Sequence, residues 1–351
     1  MKKFIWILLS ALAIYGCTPT PLPSQDNKQE QPSGPGGDDN PGGDDNPGGG
    51  DNPGGGDNPG GGDNPGGGET PSSSHPYLNC YEMPAIPNLK TDSQSISKGS
   101  DGSGPWWNSE TSKEKQVIIS HATTVNGVKR RNWTALYDGN KRAPIWSAFI
   151  MQRDVFPDKN VGRGSWHDDP AVPSEWQNDD IWNKNNEKYH RGHLVASNYR
   201  QTSKSQDNYQ TFYRTNQALQ EQDKFNGAIW QSLENMVASA APSALDTLYV
   251  VVGLLFEGDP RPGITEQEIA VYEAPSHYYK LLMKCSFNTD GSMKSAKGVA
   301  YLMANVAYNN NSYDNYTTTI DAIEQRTGFD FFTNVPKDLQ DAAENSSAPI
   351  W

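Results

Sequence analysis

Basic residues are in short supply. Twenty-nine Lys and Arg stand against 42 Asp and Glu, for a formal charge of −13 over 351 residues. The deficit is uneven: Lys2 and Lys3 add two positive charges, Thr18–Ser74 sets Lys28 against ten carboxylates, and residues 75–351 keep about −6. That excess argues against tight sequence-independent attachment to a polyphosphate through many contacts, which needs a basic face. It does not argue against a cleft with a few arginines and a metal ion, where turnover counts for more than affinity. A membrane-spanning run is also missing, because the apolar stretch Phe4–Tyr15 is too short to cross a bilayer comfortably. Apolar residues are absent as well from the six-residue Asp-Asn-Pro-Gly-Gly-Gly repeat between Gly34 and Gly68, which keeps Asn40, Asn46, Asn52, Asn58 and Asn64 in register. A repeat with no face to stack cannot build a solenoid. Glycine, proline and mutually repelling aspartates make 18–74 an extended, disordered linker with a reach of roughly 40 Å.

Cysteine is rarer still, with only three in the chain. Lys2 and Lys3 followed by the short apolar run read as an export signal, residues 1–16. Ile14-Tyr15-Gly16-Cys17 resembles the lipobox of bacterial lipoproteins, which implies cleavage before Cys17, acylation of its thiol and anchoring to a bacterial membrane, at the outer membrane or cell surface. That leaves Cys80 and Cys285, either a disulfide permitted outside the cytoplasm or two buried free thiols. Their separation decides between the two.

Residues 75–351 are enough for one large domain. Gln116–His121, Trp133–Tyr137 and Ile145–Gln152 are β-branched or aromatic runs divided by Asn126-Gly127 and Asp138-Gly139, and predict antiparallel hairpins. Leu248–Phe256 is continuously apolar, as a strand buried on both faces should be, with Tyr278–Phe287 and Gly298–Met303 as partners. Gly162–Asp180 is loop-like. Helical patterns fall at Asn208–Glu221, Asn226–Ser239 and Thr318–Thr327. Without strict βαβ alternation, the expected class is α+β, a central, mainly antiparallel sheet flanked by helices.

The chemistry concentrates in Tyr189-His190-Arg191-Gly192-His193 and in Phe225-Asn226-Gly227-Ala228-Ile229-Trp230-Gln231-Ser232-Leu233-Glu234. If Tyr189–Ala196 is a strand, Arg191 and His193 project from one face and His190 from the other. His190 and His193 therefore cannot clasp one zinc ion, and Gly192 between them disfavours the helix on which they could. A lone histidine is more often structural than catalytic, so His193 gains weight only from the helix downstream of it. On that helix, Asn226, Trp230, Leu233 and Val237 share a face, while Glu234 lies about 80° round on its flank. Asn226 is either an N-cap or an amide ligand, since an amide carbonyl beside a carboxylate suits Mg²⁺.

These stretches resemble the DNA/RNA non-specific endonucleases of the ββα-metal (His-Me finger) type, whose motifs read Asp-Arg-Gly-His, Thr-Asn-x-x-x-Gln and Asn-x-Gly-x-Trp-x-x-Leu-Glu. Here they stand as His190–His193, Thr215–Gln220 and Asn226–Glu234, with Gly227 one residue closer to the asparagine than in some members. The likeness extends to Val250–Glu257, Ala274–Lys280 and Ala322–Gly328, and so covers most of Trp133–Pro336. It implies a membrane-anchored endonuclease acting on DNA and RNA with little sequence preference. His193 would be the general base, and Asn226 the direct ligand of one Mg²⁺, with Mn²⁺ able to substitute. Glu234 would hold metal-bound water, and Asn216 would orient His193 or the scissile phosphate. Arg191 and the upstream Arg163 would stabilise charge on the phosphate. His190 departs from the family aspartate, and Ala238 stands where some relatives carry arginine. A non-catalytic lipoprotein binding nucleic acid or glycan is the competing reading, with Trp106, Trp107, Trp166 and Trp182 as stacking platforms. The sequence leaves open whether the domain acts alone or as a homodimer.

Overall fold

A computed structural model describes residues 81–85, 109–110, 113–177, 189–257 and 274–351. The expectations for the export signal, Cys17, the linker, Cys80, Trp106, Trp107 and Trp182 lie outside these residues. Every described residue belongs to one compact unit.

In chain order the elements are β1 (Ser109–Glu110), β2 (Gln116–Val125), β3 (Val128–Asp138), β4 (Ala143–Met151), β5 (Tyr189–His193), helix α1 (Asp207–Thr211) and β6 (Gln217–Glu221). A π-helical stretch, Gln222–Trp230, leads directly into α2 (Gln231–Ala240). Then come β7 (Asp246–Leu255), β8 (His277–Phe287), β9 (Met293–Ala304), β10 (Thr317–Thr318), α3 (Ile320–Thr327) and α4 (Lys337–Glu344). Eight strands form one sheet in the order β1-β2-β3-β4-β7-β8-β9-β10, each pair antiparallel, and β5 and β6 form a separate two-stranded sheet. The fold is α+β.

Local chemistry accounts for the sheet. Asn126 and Gly127 take φ of 52° and 79°, the two left-handed positions that let a two-residue turn follow the twist of β2 and β3. Along β7, Val250, Val252 and Leu254 enter one hydrophobic core and Tyr249, Val251 and Leu255 the other. This double burial explains the strand's unbroken apolar sequence. The first core receives Leu194, Phe225, Trp230, Leu233 and Val237, so the β5–β6–α2 unit packs on that face. The second receives Ile320 and Ile323 of α3 and Ala343 of α4. Leu233 and Val237 are fully buried, worth about 1.5–3 kcal/mol each. Their burial fixes which side of α2 is left to face outwards.

Two helical expectations change. Asn208–Glu221 is not one helix: α1 ends at Thr211, and Gln217–Glu221 is a strand paired residue for residue with Glu221 opposite Tyr189 and Gln217 opposite His193. Ala218, Leu219, Gln220 and Glu221 are good helix formers, and the tertiary pairing with β5 overrides that preference. The expected Asn226–Ser239 helix starts four residues earlier, at Gln222, in π form. Among the described residues no helix is long and apolar enough to cross a membrane.

Candidate active site

Strand β5 presents His193 at its end, and β6 returns beside it to start the helix. Glu221 caps that helix, its carboxylate accepting from the backbone N–H groups of Lys224 (3.1 Å) and Phe225 (2.8 Å). Asn226 therefore sits inside the helix and is not its N-cap, which removes the capping alternative. The π geometry matters for Glu234. A turn closed by i→i+5 bonds advances about 85° per residue against 100° in an α-helix, so four such steps bring Glu234 to within roughly 20° of the direction of Asn226. Both residues line one cavity of about 780 Å³. The flank position expected for Glu234 from uniform α-geometry is corrected by the π stretch.

His193, Arg191 and Arg163 line the same cavity. The His193 ring rests against Trp166 (centroids 4.4 Å, 37°) and the edge of Phe212 (5.0 Å, 89°). Its Nε2 is buried and has no hydrogen-bond partner among the described residues. Burial, with the Arg163 guanidinium adding to it, pushes the imidazole pKa down to about 3, so the ring is neutral at physiological pH. Gly192 is required by close packing, since a Cβ there would lie 2.1 Å from Gln220 Oε1 and 2.7 Å from its Cβ. Strand alternation predicts that His190 points away from the site. It is exposed, yet it too lines the cavity, because β5 has a partner on one side only and four of its five residues border the opening.

Asn216 is fully buried and makes no wall of the cavity. Its Oδ1 accepts from Val195 N (2.9 Å), and its Nδ2 donates to Val195 O (2.9 Å) and Thr211 O (2.8 Å). Its backbone carbonyl accepts from Leu194 N (3.0 Å). The residue clamps the two positions after His193, so of the two roles expected for it only the one acting through His193 fits. Arg163 and Trp166 ride on a loop held by a buried network: His121 Nε2 meets Asp169 Oδ2 at 2.9 Å, and Thr215 Oγ1 donates to the same carboxylate oxygen. Beyond the loop, Arg200 is buried and anchors the chain after β5 by donating to Asn132 Oδ1 (2.6 Å), Asn132 O (2.8 Å) and Ile150 O (3.0 Å). Cys285 is a buried free thiol on β8, its pKa raised by burial.

Sequence reasoning missed what lies beneath Glu234. Lys280, fully buried on β8, donates from Nζ to Tyr199 Oη (3.0 Å) and lies 4.5 Å from the centroid of Trp230. Burial pushes the Glu234 carboxyl pKa up, and the Lys280 charge pulls it back. Burial lowers Lys280 to about 8 against the opposing pull of Glu234. A partial signal was present: Lys280 lies mid-strand among apolar neighbours, on the same face as Tyr278 and Leu282, and is too costly to bury without an anionic partner. An amide and a carboxylate on one wall, a neutral imidazole on another and two guanidiniums at the edges form a site able to orient an anionic ester and take a proton from water.

Residues 114–338 match the family of DNA/RNA non-specific endonucleases. A nuclease from Nostoc sp. (strain PCC 7120 / SAG 25.82 / UTEX 2576) is 24% identical over 227 residues, 64% of this chain and 79% of the relative. Among solved structures, the EndoG/EndoGI complex aligns with a TM-score of 0.49 at 19% identity, over 63% of this chain and 89% of that one.

Proposed function

Because this chain belongs to the DNA/RNA non-specific endonuclease family and is a nuclease, we propose that its β5–β6–α2 unit hydrolyses DNA and RNA phosphodiesters using one Mg²⁺ bound at Asn226, with His193 as general base. The observation that carries this reading is the convergence of His193, Asn226 and Glu234 on one open cavity.

The donor chemistry fits the ion. The Asn226 side chain has no hydrogen bond to a described residue, lines the cavity and stands beside a carboxylate, an all-oxygen set of the kind Mg²⁺ takes while keeping most of its waters. When bound, such an ion neutralises charge on the phosphate and its leaving oxygen. His193, held neutral, accepts the proton of the attacking water, and with Nε2 sealed from solvent the accepting atom is Nδ1. Arg191 and Arg163 draw the phosphate in and stabilise the charge that builds on its oxygens. Glu234 accepts hydrogen bonds from water in the cavity, and Lys280 and Tyr199 hold its surroundings in place beneath it.

The test is digestion of plasmid and of RNA by purified protein with Mg²⁺ or Mn²⁺, with and without EDTA. Cleavage of both that EDTA abolishes is expected; intact substrate in every metal condition would reject the proposal. We also propose that the enzyme is exported and tethered through acylated Cys17, with Thr18–Ser74 as the tether. This is supported by the lipobox resemblance and the core-free linker. Cys17→Ser should abolish incorporation of labelled palmitate and release the protein from membranes.

A further inference from the structure

A second hollow, of about 660 Å³, adjoins the active-site cavity and shares Arg163 and Trp166 with it. Its remaining walls include His167, Lys204 and Tyr209. Most large apolar side chains in the described residues are buried, but Tyr209 is 43% exposed. Its ring is stacked on His167, with centroids 3.8 Å apart and planes 29° from parallel. Both rings meet the buried Tyr213 edge-on, at 5.8 and 5.0 Å. The shelf is rigid: His167 N donates to Phe212 O (3.1 Å), Arg214 N donates to His167 O (3.0 Å), and His167 Nδ1 lies 2.7 Å from Ser165 O.

The shelf therefore offers a fixed aromatic face, one cation shared with the catalytic cavity (Arg163) and a second cation of its own (Lys204). The neighbouring carboxylate, Asp168, is engaged by Arg214 and does not cancel that charge. On a domain with a net negative charge, two exposed cations beside an exposed aromatic ring fit a strand that alternates phosphates with flat bases. A small apolar ligand would have no use for the cations, and a paired duplex hides the base faces that the ring would meet.

We propose that Tyr209, stacked on His167, binds an unpaired nucleobase next to the nucleotide whose phosphate enters the catalytic cavity, with Lys204 and Arg163 holding the intervening phosphate. The proposal rests on the nuclease reading and deepens it: single-stranded or frayed polynucleotides become the preferred substrates. His167 contributes as a neutral stacking surface, its pKa lowered mainly by burial.

The test compares wild-type protein with Tyr209→Ala, Tyr209→Trp and Lys204→Ala. Binding is read first in EDTA, from the anisotropy and fluorescence quenching of a short single-stranded DNA containing 2-aminopurine, and against a blunt duplex of equal length. Wild type should quench 2-aminopurine and prefer the single strand. Tyr209→Ala should weaken single-strand binding roughly 5- to 10-fold, with a smaller effect on the duplex, and Tyr209→Trp should restore both affinity and quenching. Lys204→Ala should weaken both substrates. In Mg²⁺, the KM for single strands should rise in Tyr209→Ala in parallel. An equal loss on both substrates, or no loss in Tyr209→Ala, overturns the shelf. A protein that quenches through Tyr209 but cleaves nothing would leave the shelf standing and sink the nuclease reading, whereas cleavage indifferent to Tyr209 does the reverse.

Discussion

At the scale of single residues, the site depends on a few side chains whose surroundings decide their charge. Glu234 and Lys280 are mutually dependent: each is pushed towards neutrality by burial, and each keeps the other charged. Lys280→Met removes the cation that favours the carboxylate, so the Glu234 pKa rises further. Activity should fall roughly 10- to 100-fold, the scale expected for the supporting shell of a metal site. The acid limb of the pH–rate profile should move to higher pH. Burial holds the His193 pKa low and raises that of Glu234, so a shift of that limb is the expected signature of Glu234. A Lys280→Met variant with wild-type rate and profile would remove Lys280 from the account. Gly192 is the second case. Gly192→Ala forces Gln220 out of its place, with a cost of about 1–3 kcal/mol typical of overpacking. Denaturant unfolding should show this as a lower midpoint, and cleavage should drop because His193 is the next residue.

At the scale of elements, α3 and α4 bring Asp321, Glu324 and Glu344 together, with carboxylate oxygens within 4.8 Å of one another. Burial raises Glu324 to about 7 and Glu344 to about 8, and like-charged neighbours add to it. Their folded pKa values lie above the unfolded ones, so their stabilising contribution is complete below about pH 4.3 and is lost as pH rises through 7 and 8. Glu344→Gln should leave the melting temperature unchanged near pH 4. At pH 9 it should raise it by about 2–4 °C, read by calorimetry across pH; an unchanged melting temperature at pH 9 would contradict this assignment. These same elements show where the sequence was legible. Strand β7 and the Asn126-Gly127 turn could be read because their signals are local: a doubly buried strand is apolar throughout, and a left-handed turn needs those residue types. Strand β6 could not, because only its pairing with β5 makes Gln217–Glu221 extended. Helix α4 buries Gln340, Ala343 and Glu344, so it shows no apolar stripe. The π stretch has the same composition as an α-helix, and nothing in Asn226–Glu234 announces that the two functional side chains are rotated into line. His193, Arg191, Asn226 and Glu234 stood out from their spacing in the sequence, and Arg163 was implied only by the family resemblance. Tyr199 and Lys280 did not stand out, because their role exists only once β8 lies beneath α2.

For the molecule as a whole, acidity is compatible with the proposed function if few charges do the binding. Arg163, Arg191 and Lys204 are the cations that border the two hollows. Neutralising two or three phosphates gives a slope of log affinity against log salt with magnitude about 2–3, well short of the steep dependence of proteins that bind by a basic face. Binding of a labelled polynucleotide in EDTA over a salt series measures it. A slope several times larger would mean that cations outside these hollows do the binding.

The central claim is that a neutral imidazole at His193 takes a proton within the same hollow in which Asn226 holds the metal. Chemical rescue tests it most directly, because His193→Ala leaves a slot between Trp166 and Phe212 that free imidazole can fill. Mg²⁺-dependent cleavage by His193→Ala should fall about 100- to 10,000-fold and recover in part as imidazole is added, while Asn226→Ala gains nothing from the same addition. A His193→Ala enzyme as fast as wild type, or one indifferent to imidazole while Asn226→Ala responds to it, would contradict the account.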